Sequence, residues 1–308
     1  MARQKKQVPS RNESTDYWVD LVVHPERNRS EYVNFDHALD ADNKFEPNAG
    51  GFSPVNAWWL AEASLLAYWL DATEVARIYR QRAGLDCLVL EEGSTLCHLA
   101  FNKEFAIVAF RGTQADDWRD LFDDSRFALT DWMNGRVHCG FKAAFLRIQE
   151  KLSAALKAHA PGLPVWMTGH SLGAAIAVLA ADTIETRGIY TFGLPRVGEP
   201  IFVGHFNQRY SGRSFRYVND HDVVTHVPPG RPVTSYLHIE EARSIDADGH
   251  VTTATPPSLQ LIRNIFGEAR MVFQIVQLLR EGKLSLMPDA LADHAPVLYA
   301  THTWNDLA

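Results

Sequence analysis

Ser171 stands in a pentapeptide whose spacing suits nucleophilic catalysis. The run Gly169-His170-Ser171-Leu172-Gly173 places a glycine two residues before the serine and another two residues after it. A serine hydroxyl is a weak nucleophile until the backbone projects it towards a general base. Glycines at these positions permit a sharp strand-to-helix turn, because no Cβ atom keeps strand and helix apart. The pattern predicts acyl transfer from a nucleophile elbow, and the structural alternative is an ordinary helix N-cap serine.

The segments on either side of the pentapeptide favour the elbow. Val165 to Thr168 is a short apolar run typical of a buried strand, and Leu172 to Thr186 has the composition of a helix rich in small residues. Backbone N–H groups at the start of that helix point to the place where negative charge develops in acyl transfer. Leu172 is therefore predicted to supply one donor of an oxyanion hole. His170 is interpreted as a packing residue, because neighbours in an elbow point apart.

An activated serine needs a histidine and a carboxylate, which in elbow enzymes follow it in the chain order Ser, Asp/Glu, His. The first acidic loop after a predicted strand beyond Ser171 holds Asp220 and Asp222, and either carboxylate suits the role. The histidines after this loop are His226, His238, His250, His294 and His302. His226 is too near Asp222 in sequence to come from a separate loop, and His238 lies inside a predicted strand.

The elements that must position these side chains alternate between strand and helix patterns. Phe105 to Phe110 is continuously apolar and is predicted to be a buried central strand, and the alternation after it predicts parallel strands with crossover helices. Other predicted strands are 85–90, 95–101, 189–192, 215–218 and an antiparallel arm in 233–245, and other predicted helices begin at Ser53-Pro54 or cover 73–82, 141–159, 200–209 and about 258–280. This order is typical of an α/β fold.

Composition and charge exclude some classes of protein. The formal net charge of −7 disfavours a nucleic-acid partner. Residues 1–16 are polar and predicted to be a disordered tail, and residues 17–308 are predicted to be a single domain. No segment suits a transmembrane helix, and the basic start lacks the apolar core of a secretory signal. We therefore expect a cytoplasmic protein, or a secreted one whose leader has been removed.

The cysteines give a further indication of the compartment. Three cysteines, Cys87, Cys97 and Cys139, cannot all pair within one chain, and this favours a reducing environment. A single disulfide between Cys87 and Cys97 across the predicted hairpin stays open. The histidines do not cluster with cysteines or carboxylates at metal-ligand spacing, so no metal site is predicted.

Several ordered motifs resemble those of the class 3 lipases. They are Ile107 to Thr113, Val137 to Phe141, Thr168 to Gly173, Thr191 to Gly198 and Asp222 to Pro229, and the resemblance covers about residues 50–302. It implies the α/β-hydrolase fold, with a mostly parallel central sheet, helices on both faces and a lid helix. It also implies hydrolysis of acyl esters, commonly glycerides, without a metal or organic cofactor.

The resemblance assigns roles to particular residues. It favours Asp222 over Asp220 as the acid, because the following Val-Val-x-x-Val-Pro-Pro matches the family pattern. The family's base falls at Asp293-His294-x-x-x-x-Tyr299, which implies His294 and leaves His302 as the second choice. Thr113 is implied as the second oxyanion donor, through its backbone N–H and its hydroxyl.

The family's lid falls at about residues 114–124, where Trp118, Leu121 and Phe122 could form the apolar face. A lid that opens on lipid would uncover the serine. The segment is more acidic than expected of strongly interface-activated enzymes, and this argues against pronounced activation. A second apolar run, 271–279, is interpreted as core, with an acyl-pocket wall as the alternative.

The sequence thus predicts a carboxylester hydrolase, foremost a triacylglycerol lipase, that acts on an ester at an oil–water or membrane interface. A phospholipase, a feruloyl-type esterase or an acyltransferase with the same triad is the alternative. A non-catalytic interaction module on a hydrolase scaffold is a third hypothesis. Pocket shape selects among the enzymes, and motifs do not reveal it.

Overall fold

The chain is built around a mixed β-sheet with helices on both faces. The structure, a computed structural model, describes residues 3–8, 17, 20–22, 24–25, 32–112, 128–230, 235–253 and 292–308. The strands are β1 (Asp86–Glu92), β2 (Thr95–Phe101), β3 (Ala106–Phe110), β4 (Leu129–Trp132), β5 (Gly135–His138), β6 (Val165–His170), β7 (Gly188–Phe192), β8 (Ser214–Asn219), β9 (Ala242–Ile245) and β10 (Val251–Thr252). The helices are α1 (Pro54–Leu66), α2 (Ala72–Ile78), α3 (Cys139–His159), α4 (Leu172–Thr183), α5 (Pro200–Arg209) and α6 (Pro296–Asn305).

The main sheet has the strand order β1-β2-β3-β6-β7-β8-β9-β10. β1, β2 and β3 form an antiparallel meander, β3, β6, β7, β8 and β9 are parallel, and β10 returns antiparallel to β9. β4 and β5 form a separate hairpin. The predicted parallel strands with crossover helices are confirmed. Because carboxyl ends of parallel strands share one edge of the sheet, the ends of β6, β7 and β8 lie side by side.

The helices divide between the two faces of the sheet. α3, α4 and α5 contribute to one apolar cluster, α1 and α2 contribute to the other, and α6 contributes to both. α4 can lie close to the sheet because it is rich in alanine, and most of its residues are buried. α1 begins as its sequence predicts, since the Ser53 side chain accepts a hydrogen bond from the Asn56 N–H and Pro54 occupies the first turn.

Some predicted segments lie outside the described residues. They are the lid at about 114–124 with Trp118, Leu121 and Phe122, the oxyanion residue Thr113, and the apolar helix at 258–280. These therefore stay predictions.

The N-terminal segment is attached to the rest of the molecule. Lys6 Nζ lies 3.2 Å from a carboxylate oxygen of Glu62, a side chain of α1 that is fully buried. The Lys6 backbone N–H donates to the Asn305 side chain at 2.8 Å, and the Asn305 amide donates back to the Lys6 carbonyl at 3.1 Å. The prediction of a disordered tail over residues 1–16 therefore does not hold for residues 3–8. The buried carboxylate of Glu62 supplies a partner for Lys6 that local composition does not reveal.

Cys87 and Cys97 do not form a disulfide. Cys87 and Cys97 lie on the predicted hairpin, but Cys87 faces Ala100 and Cys97 faces Leu90. The two cysteines are therefore offset by three residues along the strands, which is roughly 10 Å at the rise of an extended chain. A disulfide requires Cα atoms within about 7 Å. The strand register therefore excludes a disulfide between Cys87 and Cys97, which the sequence had left open.

We expect buried histidines to make the fold less stable in mild acid. Burial lowers the pKa of His98 from 6.5 to about 3 and that of His138 to about 4. Between pH 6.5 and 4 the unfolded chain therefore binds protons that the folded chain does not, and stability falls as the pH is lowered. Chemical denaturation at several pH values between 7 and 4 measures how the free energy of unfolding changes with pH. This pH dependence should be shallower in His98→Phe by roughly 1.4 kcal/mol per pH unit. Equal slopes for the two proteins would contradict this account.

Candidate active site

Ser171 lies on a strained turn between β6 and α4. Its φ of 59° and ψ of −129° place a non-glycine residue at positive φ, as a nucleophile elbow requires. A Cβ on Gly169 would overlap the backbone of Gly173, and one on Gly173 would overlap the Phe110 carbonyl. The Ser171 N–H donates to the Phe192 carbonyl at 3.0 Å. The predicted elbow geometry is therefore present, and both glycines are needed for it.

Asp222 and His294 form a buried hydrogen-bonded pair. His294 Nδ1 lies 2.7 Å from Oδ2 and 2.9 Å from Oδ1 of Asp222, and both side chains are fully buried. The Val224 N–H donates to Oδ1 at 2.9 Å, and the Tyr299 hydroxyl donates to Oδ2 at 2.6 Å. These four contacts satisfy the carboxylate oxygens of Asp222, and they hold the carboxylate in the orientation in which it bonds the imidazole. The pair has the geometry of the acid and base in a catalytic triad.

Two segments distant in sequence bring this pair together. Asp222 begins the short 3₁₀ turn Val223–His226 after β8, and His294 lies just before α6. α6 carries Tyr299, whose hydroxyl also accepts from the Asn219 N–H at the end of β8 at 3.0 Å. Burial, and then the charge of Asp222, raises the pKa of Tyr299, so the phenol stays protonated and donates. Tyr299 thereby connects α6 to the loop that carries Asp222.

Gly193 allows this pair to approach the elbow. It follows β7 with a φ of +57°, and a Cβ there would lie 2.8 Å from Asp222 Oδ2 and 2.8 Å from His294 Cε1. Both the conformation and the contact therefore exclude a side chain at Gly193. The preceding Phe192 supplies the carbonyl that holds the Ser171 N–H. Gly193 is a site residue that spacing alone did not reveal, although it lies in the motif 191–198.

His294 lies beside β6, the strand that leads into Ser171. The His294 ring centroid is 4.3 Å from that of His170, the residue before Ser171, with 38° between the ring planes. The Ser171 side chain is fully buried, and its Oγ makes no hydrogen bond to the described residues. An ester can therefore reach this hydroxyl only after neighbouring groups move.

The other candidates are located away from the pair. Asp220 lies 3.0 Å from His221 Nδ1, and His302 lies against Gly249 on the loop after β9. Leu172 is the first residue of α4, where a backbone N–H has no acceptor within the helix. The structure thus brings Asp222, His294 and the elbow together. Asp220 and His302, the second choices for acid and base, lie outside this group.

The described residues include two groups with potential metal ligands. Asp220, His221 and Asp293 offer three atoms within 4.8 Å of one another, and so do three residues of the turn 246–250. In the first group, the His221 N–H donates to Asp293 Oδ2 at 3.2 Å. Acyl transfer from an activated serine requires no metal, and we assign neither group a role.

Residues 107–231 match the model of the family described as "Lipase (class 3)". A lipase of Rhizomucor miehei is 34% identical over 187 residues, which is 56% of this chain and 49% of that protein. The secreted mono- and diacylglycerol lipase 1 of Fusarium solani is 35% identical over 100 residues, 30% of each chain. The chain thus spans a third to a half of these relatives' lengths.

Solved structures show the same fold. The mono- and diacylglycerol lipase of Aspergillus oryzae superposes with a TM-score of 0.56 at 21% identity, covering 65% of this chain and 85% of that one. A Rhizomucor miehei lipase propeptide complex gives a TM-score of 0.52 at 22% identity, covering 70% and 81%. These likenesses confirm the predicted α/β-hydrolase fold.

Proposed function

We propose that the chain, whose residues 107–231 match the model of the class 3 lipase family, is a serine carboxylester hydrolase. The observation that carries this proposal is the hydrogen bond between Asp222 and His294 beside the elbow of Ser171. In the proposed reaction, Ser171 Oγ attacks the ester carbonyl and His294 Nε2 accepts the hydroxyl proton. Asp222 stabilises the imidazolium that results.

The remaining steps follow from the same groups. The tetrahedral oxyanion is held by the N–H of Leu172 at the start of α4 and, by family resemblance, by Thr113. His294 returns its proton to the leaving alcohol, and an acyl-enzyme on Ser171 is left. Water, activated by His294, then releases the acid and restores the serine. Every proton in this cycle passes through one imidazole, which is why its orientation by Asp222 matters.

For the substrate we propose a glyceride at an oil–water interface. The names of the relatives from Fusarium solani and Malassezia globosa, both mono- and diacylglycerol lipases, support this class of ester. The full burial of Ser171 supports a moving cover, and the predicted lid at about 114–124 with Trp118, Leu121 and Phe122 is our candidate. A phospholipase or a feruloyl-type esterase is the second candidate, because the same triad serves all three.

Of the two expected locations, cytoplasmic and secreted, we propose the secreted one. Relatives from Fusarium solani and Malassezia globosa are named secreted lipases. Within the described ranges, none of the helices has the length and apolar character needed to cross a membrane.

The proposal predicts that a fluorophosphonate probe labels Ser171. The probe reacts only with a serine that a neighbouring base activates, so mass spectrometry of the digested protein should place the adduct on the peptide containing residues 169–173. Ser171→Ala should show no adduct and no hydrolysis of p-nitrophenyl esters. Undiminished hydrolysis by Ser171→Ala would defeat the proposal. A panel of triglycerides, phospholipids and feruloyl esters then selects the substrate class.

A further inference from the structure

Tyr68 and His170 form a buried pair beneath the elbow. The Tyr68 hydroxyl lies 2.8 Å from His170 Nδ1, and both side chains are almost fully excluded from solvent. Tyr68 lies just after α1, and His170 ends β6. A buried hydroxyl and a buried ring nitrogen each need a partner, and here each supplies the other. The bond therefore fixes which way the His170 ring faces.

The free face of that ring contacts the proposed base. Asp222 holds His294 at Nδ1, which is one edge of the imidazole. A bond at one edge still lets the ring swing, and a swing moves Nε2 relative to the serine. The His170 ring, 4.3 Å away at 38°, limits that swing from the side. A misplacement of about 1 Å in such a site is enough to cost about 100-fold in rate.

The His170 ring must stay uncharged if it is to support His294 during acyl transfer. During acyl transfer His294 becomes positive, and a second positive charge beside it would oppose that step. Burial lowers the pKa of His170 well below its ordinary value, and the charge of His294 lowers it further. His170 is therefore a neutral neighbour throughout the neutral pH range.

The pair also lies against the start of the loop that follows β3. A Cβ on Gly112 would overlap the Tyr68 hydroxyl and would lie 2.8 Å from the His170 carbonyl. Gly112 directly precedes Thr113, the predicted oxyanion residue. The pair thus lies against His294 on one side and against Gly112 on the other.

We propose that Tyr68 and His170 are positioning residues that act as a unit to hold the His294 imidazole in line with Ser171. The proposal rests on the serine-hydrolase function proposed above. Because the pair is proposed to act through the base, its loss should lower kcat and leave KM nearly unchanged.

The first test compares two tyrosine-to-phenylalanine variants. Tyr68→Phe keeps the ring and removes the bond to His170. Tyr190→Phe removes another buried hydroxyl, which accepts from the Ser53 N–H at 2.9 Å and contacts neither Ser171 nor His294 in the described structure. We expect Tyr68→Phe to lower kcat about tenfold with KM within about twofold, and Tyr190→Phe to keep kcat within about twofold at a similar loss of thermal stability. Equal kcat values for the two variants would overturn the proposal.

A double-mutant cycle tests whether the two residues act together. His170→Phe keeps a ring against His294 but cannot bond Tyr68. If the pair is a unit, Tyr68→Phe combined with His170→Phe should be no slower than the slower single variant. Multiplicative losses in kcat would contradict a joint action.

A readout without turnover separates this proposal from the proposed function. Protein labelled with ¹⁵N-histidine reports the ring nitrogens of His170 and His294, and variants of the two histidines assign the signals. Tyr68→Phe should shift the His294 ring signals, and Tyr190→Phe should leave them in place. Unmoved His294 signals in Tyr68→Phe overturn the positioning role even if the enzyme is active. Hydrolysis that does not depend on Ser171 defeats the function alone.

Discussion

Replacement of His294 by alanine is expected to lower kcat/KM for an ester by about 10⁵-fold, because the variant lacks the imidazole proposed to accept the proton of Ser171. The ring stands beside the elbow with Asp222 on its Nδ1 edge, and both side chains are fully buried. Removing it leaves a weak nucleophile and a buried carboxylate that has lost one of its hydrogen-bond partners. Steady-state hydrolysis of a short-chain p-nitrophenyl ester measures the loss, and circular dichroism verifies the fold.

His302 is the matched control for this variant. It is also a largely buried histidine near the carboxyl end, but it lies against Gly249. His302→Asn should therefore keep kcat/KM within about threefold of the parent, as expected for a residue outside the reacting group. If His302→Asn abolishes hydrolysis and His294→Ala does not, the base has been assigned to the wrong histidine.

The elbow was predictable because five contiguous residues encode it. The strained φ of Ser171 and the close approach at Gly169 and Gly173 follow from local chemistry, and the flanking strand and helix patterns are also local. The parallel sheet was predictable for the same reason, since each strand and helix carries its own periodicity. Several helix and strand ends moved, as in α4, which ends at Thr183 and not at Thr186. The predicted antiparallel arm over 233–245 is a strand only at Ala242–Ile245, where it is antiparallel to β10 but parallel to β8. The hairpin of β4 and β5 was not predicted.

The acid and base needed more than local pattern. Spacing left Asp220 and Asp222 equal and several histidines open, and family resemblance supplied the choice that the structure places together. Gly193 and Tyr299 could not be found this way, because their roles arise where chain segments far apart in sequence meet. His170 was interpreted as a packing residue. The residue is indeed buried, but this interpretation did not include its contact with the His294 ring.

Strand register and long-range ion pairs could not be predicted from the sequence either. The offset between Cys87 and Cys97 depends on where the hairpin turns, and residue types do not specify this. Order in the N-terminal segment depends on the buried carboxylate of Glu62, which Lys6 approaches from outside. Both are tertiary facts, and neither alters the prediction of the nucleophile.

Asp222→Asn is expected to lower kcat by about 10⁴-fold without unfolding the protein. The aspartate accepts from His294 Nδ1, the Val224 N–H and the Tyr299 hydroxyl. An asparagine of the same shape replaces one acceptor oxygen with an N–H₂ donor. If that donor faces His294, it selects the tautomer with the proton on Nε2, and this form cannot accept from Ser171.

The neighbouring Asp220→Asn is the matched control, because it makes the same chemical change two residues earlier in the same loop. Asp220 has a φ of 32°, a conformation that asparagine tolerates well, and its carboxylate lies 3.0 Å from His221 Nδ1. We expect Asp220→Asn to retain kcat within about threefold. Because Asp220 and Asp222 were equal candidates by spacing, the ratio of the two kcat values decides between them. A larger loss in Asp220→Asn than in Asp222→Asn would transfer the role of the acid to Asp220.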